Sequence, residues 1–147
     1  MTPAPQEKTD FSQMQKQPYD IVRTSLFRAL QDENKVGLAQ GALVEMLKAP
    51  GNKMVHLGNS VFLVMVKAPG EVEIHTFSEE TPQALAKNFI DLWKYLKNIG
   101  VKKASTYSDD PRFKKISSMT GLPVKVEQST AKMGKEMRPV YRYVMEA

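Results

Sequence analysis

Glu73 and His75 stand two residues apart in EVEIHTF, a run that alternates as a strand does, so both side chains fall on one face. Either could take a proton as a general base. Tyr107, near the end of the later strand-like run VKKASTYS, carries a phenol that could return one. Directly after the first run comes Ser78-Glu79-Glu80-Thr81-Pro82, where the period changes from strand to helix. The first N–H groups of a helix lack internal partners, so such a junction can hold a phosphate. This bend contains no glycine, Pro82 removes one donor, and Glu79 and Glu80 bring negative charge to the same place. The same residues also make a good helix start with no ligand at all, because carboxylates favour the positive end of the dipole. A strand-borne Glu, His or Tyr is, in most proteins, an ordinary solvated or packing residue.

Other chemistries find no support. The chain of 147 residues has no cysteine, which removes disulfides, thiolate metal sites and cysteine nucleophiles. His56 and His75 fall on separate strands without a third ligand at metal spacing, so no metal site is expected. Gly37 and Gly41 precede no phosphate-facing strand turn, and neither a P-loop nor a nucleophile elbow occurs. The longest apolar run, VFLVMV at 61 to 66, is strand-sized, and no membrane contact is expected. The opening MTPAPQEKTDFSQMQKQP lacks the order of a signal peptide and reads as a flexible polar arm over residues 1–18. Residues 19–147 then form one domain, and a 41% hydrophobic content is enough to bury a core.

The elements that must position the candidate residues follow from periodicity. YDIVRTSLFRALQ and the stretch carrying Val36, Ala39, Leu43, Met46 and Leu47 have helical spacing, and Ala49-Pro50-Gly51 ends the second. Three strands are predicted at Lys53 to Leu57, Val61 to Lys67 and Glu71 to Phe77, joined by short turns as an antiparallel meander. Thr81 and Pro82 open the best-patterned helix, with Leu85, Phe89, Leu92, Trp93, Leu96 and Ile99 on one stripe up to Gly100. A strand ending in Tyr107, a helix from Asp110-Pro111 to Gly121, and two last strands, LPVKVEQ and PVYRYVME, complete the order, with STAKMGKEMR expected as a flexible loop. The strand–helix–strand passage needs a crossover, so Glu71–Phe77 and Lys102–Tyr107 are expected to be parallel neighbours.

Charge is uneven along the chain. The net +5 arises largely beyond residue 86, where thirteen basic residues face six acidic ones. Lys94, Lys97, Lys102, Lys103, Arg112, Lys114 and Lys115 cluster along the main helix and its successor and could meet a phosphate backbone or an acidic protein surface; a solvated helix face is the ordinary alternative.

This element order, with DDPRFKKISSMTGLPV placed as a penultimate helix entering a last hairpin, resembles the GNAT superfamily of N-acetyltransferases over about residues 20 to 147. The resemblance implies an α/β (α+β) fold with a mixed, mostly antiparallel sheet, one central parallel strand pair and helices on both faces. It also implies a signature, Q/R-x-x-G-x-G/A, at the end of the third strand, where bare backbone N–H groups bind the pyrophosphate of acetyl-coenzyme A. The matching positions are Glu79, Pro82 and Ala84, of which Ala84 alone conforms. Family members often carry a tyrosine four residues before the glycine of the penultimate helix to protonate the leaving thiolate; Ser117 stands there, and Tyr107 is the nearest substitute. Short forms of the fold without a clear first strand resemble virion-associated proteins of tailed bacteriophages. The departures imply a non-catalytic binding or structural protein without a cofactor, a component of a virion or assembly in the virion or host cytoplasm, meeting other proteins through the arm. The alternatives are an acyl-CoA-dependent N-acetyltransferase with a divergent coenzyme site, and a weak non-specific nucleic-acid binder.

Overall fold

A computed structural model describes residues 18–108, 110–133 and 136–147. The expected arm therefore lies, but for Pro18, outside the described residues. Helix α1 (Pro18–Leu30) turns at Gln31, whose φ is +53°, into α2 (Glu33–Leu47). Asp32 caps α2 by accepting from the amides of Asn34 and Lys35. A meander of β1 (Lys53–Leu57), β2 (Ser60–Ala68) and β3 (Glu71–Ser78) follows, then α3 (Pro82–Asn98), β4 (Lys103–Ser108), α4 (Pro111–Met119), β5 (Val124–Met133) and β6 (Glu136–Glu146). The strands form a single sheet in the order β1-β2-β3-β4-β6-β5, antiparallel except for the β3–β4 pair. The mixed sheet and its one parallel pair are those the sequence implies.

Helices cover both faces. Against one face, α3 lays its stripe of Leu85, Phe89, Leu92, Trp93 and Leu96 onto Phe62, Val64, Val72 and Ile74, and α4 adds Ile116. Phe62 and Phe89 meet edge to face with centroids 5.1 Å apart, and Phe89 meets Phe113 the same way at 5.5 Å. On the opposite face Ile21 and Val22 of α1 close over Val61 and Leu63, with Leu43 and Leu47 of α2 alongside. β2 and β3 thus feed alternate residues into two separate cores, while β1 adds Val55 and Leu57 to the first alone.

Two expectations need correction. The segment expected as a flexible loop, STAKMGKEMR, continues both final strands: Ser129 pairs with Val140, and the ladder runs on to Met133 opposite Glu136. Antiparallel pairing satisfies the backbone of each strand with that of the other, and this gain outweighs the loose, polar composition of the segment. Met46 and Ile99, placed on the apolar sides of α2 and α3, are exposed: α2 packs on this core through Leu43 and Leu47, and Ile99 lies past the end of α3 as its C-cap.

Trp93 is 4% exposed, while Lys94 and Lys97 point outward on the same helix, Lys97 with its Nζ 5.7 Å above the Trp93 ring. Trp93→Ala should destabilise the domain by roughly 3–5 kcal/mol, whereas replacing Lys94 and Lys97 together with glutamine should leave denaturant midpoints nearly unchanged. A harmless Trp93→Ala would place the helix in the wrong rotation.

Candidate functional site: the groove between the parted strands

The parallel ladder is short. β3 and β4 pair over Glu71↔Lys103, Val72↔Ala104 and Glu73↔Ser105 and then part, while β3 stays on β2 as far as Ser78 and β4 stays on β6 as far as Ser108. Across the start of the gap Thr106 Oγ1 donates to the Ile74 carbonyl at 2.8 Å. Beyond that bond the facing edges of the two strands have no ladder partner, and a groove of about 820 Å³ opens between them. Ser25 and Arg28 of α1 border it on one side of the sheet; Pro82 and Leu85 of α3 and Arg112 and Phe113 of α4 border it on the other.

His75 and Tyr107 both line this groove, each two residues past the last paired couple, so they flank the gap from opposite strands. Glu73 sits behind His75, its Oε2 3.0 Å from Nε2, with Lys67 Nζ 3.7 Å from its other oxygen. In the neutral imidazole this contact places the proton on Nε2 and the lone pair on Nδ1. Tyr107 pairs across to Arg142, whose guanidinium holds Glu127 at 3.0 Å. Burial alone disfavours the Arg142 cation, but the hydrogen bonds and charges of Glu127 and Tyr107 outweigh it and raise its pKa above the ordinary value. The three candidate acid–base residues are therefore brought to one region.

The helix start is arranged differently from the expectation. Thr81 caps α3 by accepting from the Ala84 amide at 3.2 Å, and Pro82 has no N–H, which leaves Gln83 as the first-turn amide supplied by neither the cap nor the helix. Glu80 was expected to aim its charge at this point. Instead its carboxylate accepts from the Asn59 amide, from Ser60 Oγ at 3.0 Å and from Asn88 Nδ2 at 2.7 Å, tying the β1–β2 turn to α3. A Cβ on Gly58 would lie 2.6 Å from Glu80 Oε1, and Gly58 also adopts φ +58°, so glycine is required twice over at this turn. Glu79 lies 3.8 Å from the Arg28 guanidinium, which offsets its charge. Arg112 is held by Asp110 at 2.8 Å, and that hydrogen bond draws the Asp110 pKa below the ordinary carboxylate value.

Ser25 Oγ and Thr76 Oγ1, both in groove-lining residues, are buried with no hydrogen-bond partner among the described residues. Ser117, at the place of the family's tyrosine, borders a second and smaller cavity of about 30 Å³ between α4 and the sheet. Tyr143 of β6 lines the same cavity; it is 3% exposed, its ring stacks edge to face on Phe113 at 4.8 Å, and its hydroxyl has no partner among the described residues. Burial, foremost, pushes its phenol pKa up. Sequence reasoning missed Tyr143, because only the register Thr106↔Tyr143 carries it beneath α4.

The basic residues do not make one patch. Lys97, Lys102 and Lys103 lie where α3 ends and β4 begins; Arg112, Lys114 and Lys115 lie beyond the far end of β4, about 20 Å away along the strand. Lys94 is exposed on α3 between them. Among the described residues no group of three His, Cys, Asp or Glu could hold a metal ion, and no helix is long and apolar enough to cross a membrane.

No family profile and no curated protein sequence matches the chain. Solved structures do match in shape. A spermidine N-acetyltransferase of Vibrio cholerae superposes with a TM-score of 0.57 at 8% identity, over 76% of this chain and 75% of that one. The Bacillus subtilis acetyltransferase solved with CoA gives 0.55 at 11% identity over 97% and 95%. The microcin self-immunity acetyltransferase MccE, solved with acetyl-CoA and AMP, gives 0.59 at 9% over 88% and 84%. The chain has the GNAT fold. At such identities the likeness fixes the architecture alone, and the side chains of the groove must carry any argument about chemistry.

Two measurements test the site. Glu80→Ala removes the acceptor shared by Asn59, Ser60 and Asn88 and should cost about 1–3 kcal/mol of stability; an unchanged melting temperature would show the tie to be idle. Tyr143 holds its proton more tightly folded than unfolded, so its stabilising contribution is intact below the unfolded value of about 10 and is lost as pH rises through the raised folded value. Tyr143→Phe should therefore lose stability less steeply than the parent protein above about pH 10.

Proposed function

We propose that this GNAT domain binds an acyl-coenzyme A in the groove between β3 and β4 and transfers the acyl group to an amine, using a coenzyme site that departs from the family signature. One observation carries the reading: the strands part at the point where His75 and Tyr107 line the gap from opposite strands. Residues that fit the coenzyme are present. Arg28 and Arg112 at the groove's margins suit its phosphates, and the unladdered strand edges suit its amides. Binding of CoA in the solved Bacillus subtilis relative, and of acetyl-CoA in MccE, supports this assignment.

A bound acyl-coenzyme A supplies an activated acyl carbon, which an amine nitrogen attacks as the C–N bond forms, the C–S bond breaks and the coenzyme leaves as thiol. His75, oriented by Glu73, takes the amine proton at Nδ1. Tyr107, on the opposite wall of the groove, would be the acid for the leaving thiolate. Arg28 offsets Glu79, so the negative charge beside the helix start is less of an obstacle than its sequence suggests.

A second reading, a non-catalytic component of a phage virion or another assembly, is favoured by Pro82 and Ser117, which remove a phosphate donor and the family's acid. Thiol release from acetyl-coenzyme A with a panel of amines separates the two. The enzyme reading expects release that falls about a hundredfold or more in His75→Gln, and an affinity for acetyl-coenzyme A that falls about tenfold in Arg28→Ala. Neither binding in calorimetry nor thiol release with any amine would leave the assembly reading in its place.

A further inference from the structure

We propose that two copies of this chain associate through the outer side of α2, laid antiparallel against the α2 of the second copy. That side of the helix carries Glu33, Gly37, Gln40, Gly41, Val44 and Lys48, whose spacings of three and four put them on one stripe. The stripe is turned aside from the core, which α2 meets through Leu43 and Leu47. Its middle is uncharged, since no Asp, Glu, Lys or Arg stands between Lys35 and Glu45, and Val44 is 55% exposed. A Cβ at Gly37 or at Gly41 would meet nothing within 4 Å among the described residues, so the helix backbone is open to close approach at both places. Glycine inside a helix costs stability against alanine, and two exposed glycines return nothing to the chain alone.

A two-fold antiparallel pairing makes the stripe complementary to itself. With its centre between Gln40 and Gly41, Val44 of each copy enters the opening over Gly37 of the other, and Glu33 meets Lys48 at both ends. Glu33 accepts from Arg23 at 2.7 Å and Lys48 donates to Glu45 at 2.8 Å within the chain, but such exposed pairs rearrange easily. Charge disfavours the other arrangements. Slipping the helices by three residues sets Glu33 against Glu45, and a parallel pairing sets Glu33 and Lys48 each against its own copy. Antiparallel helices also align their dipoles head to tail. On α1, Arg23 reaches Gln40 and Glu33, which marks the side of that helix bordering the stripe. Tyr19, Phe27 and Leu30 share the side of Arg23 at spacings of four, four and three, and all are exposed. Apolar surface gathered in this way marks a contact site.

Sedimentation velocity of the full chain, from low micromolar concentration upward, is expected to show a monomer–dimer equilibrium. Val44→Glu and Gly37→Leu should each weaken the dimer about tenfold or more. Neither residue belongs to a core, and leucine favours a helix more than glycine does, so both variants should keep their fold by circular dichroism. Glu33→Lys should also weaken the dimer, and Glu33→Lys combined with Lys48→Glu should recover it, because the antiparallel register brings those two positions together. A full chain that stays monomeric at every concentration would overturn the proposal and leave the face to residues 1–17 or to a different protein. A dimer indifferent to Val44→Glu and Gly37→Leu, or a double charge variant no better than Glu33→Lys alone, would overturn it as well.

Discussion

The three-residue parallel ladder between β3 and β4 is the constraint on which the rest of the molecule depends. It is the strand pairing that joins the meander to β4 and, through β4, to the C-terminal hairpin. Because parallel strands need a crossover, the ladder forces α3 over the sheet, and α3 in turn buries Trp93, Phe89 and Leu96 against both halves. The ladder also ends early. Past Ser105 each strand keeps ladder bonds to its outer neighbour, with Thr106 Oγ1 bridging to the Ile74 carbonyl, and beyond that bridge the backbone edges that face the gap have no ladder partner. The groove is therefore a product of how the sheet is joined.

Polar groups near the gap divide into those bonded within the frame and those with no bond among the described residues. Glu80 belongs to the frame: its carboxylate gathers donors from the β1–β2 turn and from α3 at the meeting of three elements. Thr106 belongs to it as well, by bridging to Ile74 where the ladder stops. Ser25, Thr76 and Tyr143 have buried hydroxyls without such commitments, and all three border the groove or the cavity beside it. His56 Nε2 on β1 is also buried without a partner among the described residues, away from the groove, so such atoms gather near the gap without being confined to it.

Electrostatics around the groove are local. The net positive charge of the chain is divided by the length of β4, so the cations near the gap are Arg28 and Arg112, each already beside a carboxylate. Such exposed pairs contribute little to stability and are easily rearranged by an arriving anion. Lys97, Lys102 and Lys103, at the opposite end of β4, take no part in the groove.

The sequence by itself determined the element order, the antiparallel meander and the single parallel pair, because these rest on local signals: Ala49-Pro50-Gly51 as a stop, Thr81-Pro82 as a helix start, and a stripe that the structure buries from Leu85 to Leu96. It also placed Glu73 and His75 on one face, since a strand's period of two needs no partner to be read. Tertiary structure decided the rest. The final hairpin extends through a polar stretch because strand pairing, invisible in composition, satisfies its backbone. Glu80 points away from the helix start because donors from residues 59, 60 and 88 converge on it, and that convergence exists only once the β1–β2 turn is folded against α3. Tyr143 reaches the cavity under α4 through its register with Thr106, a residue thirty-seven positions earlier in the chain, and no spacing rule spans a contact made by the sheet.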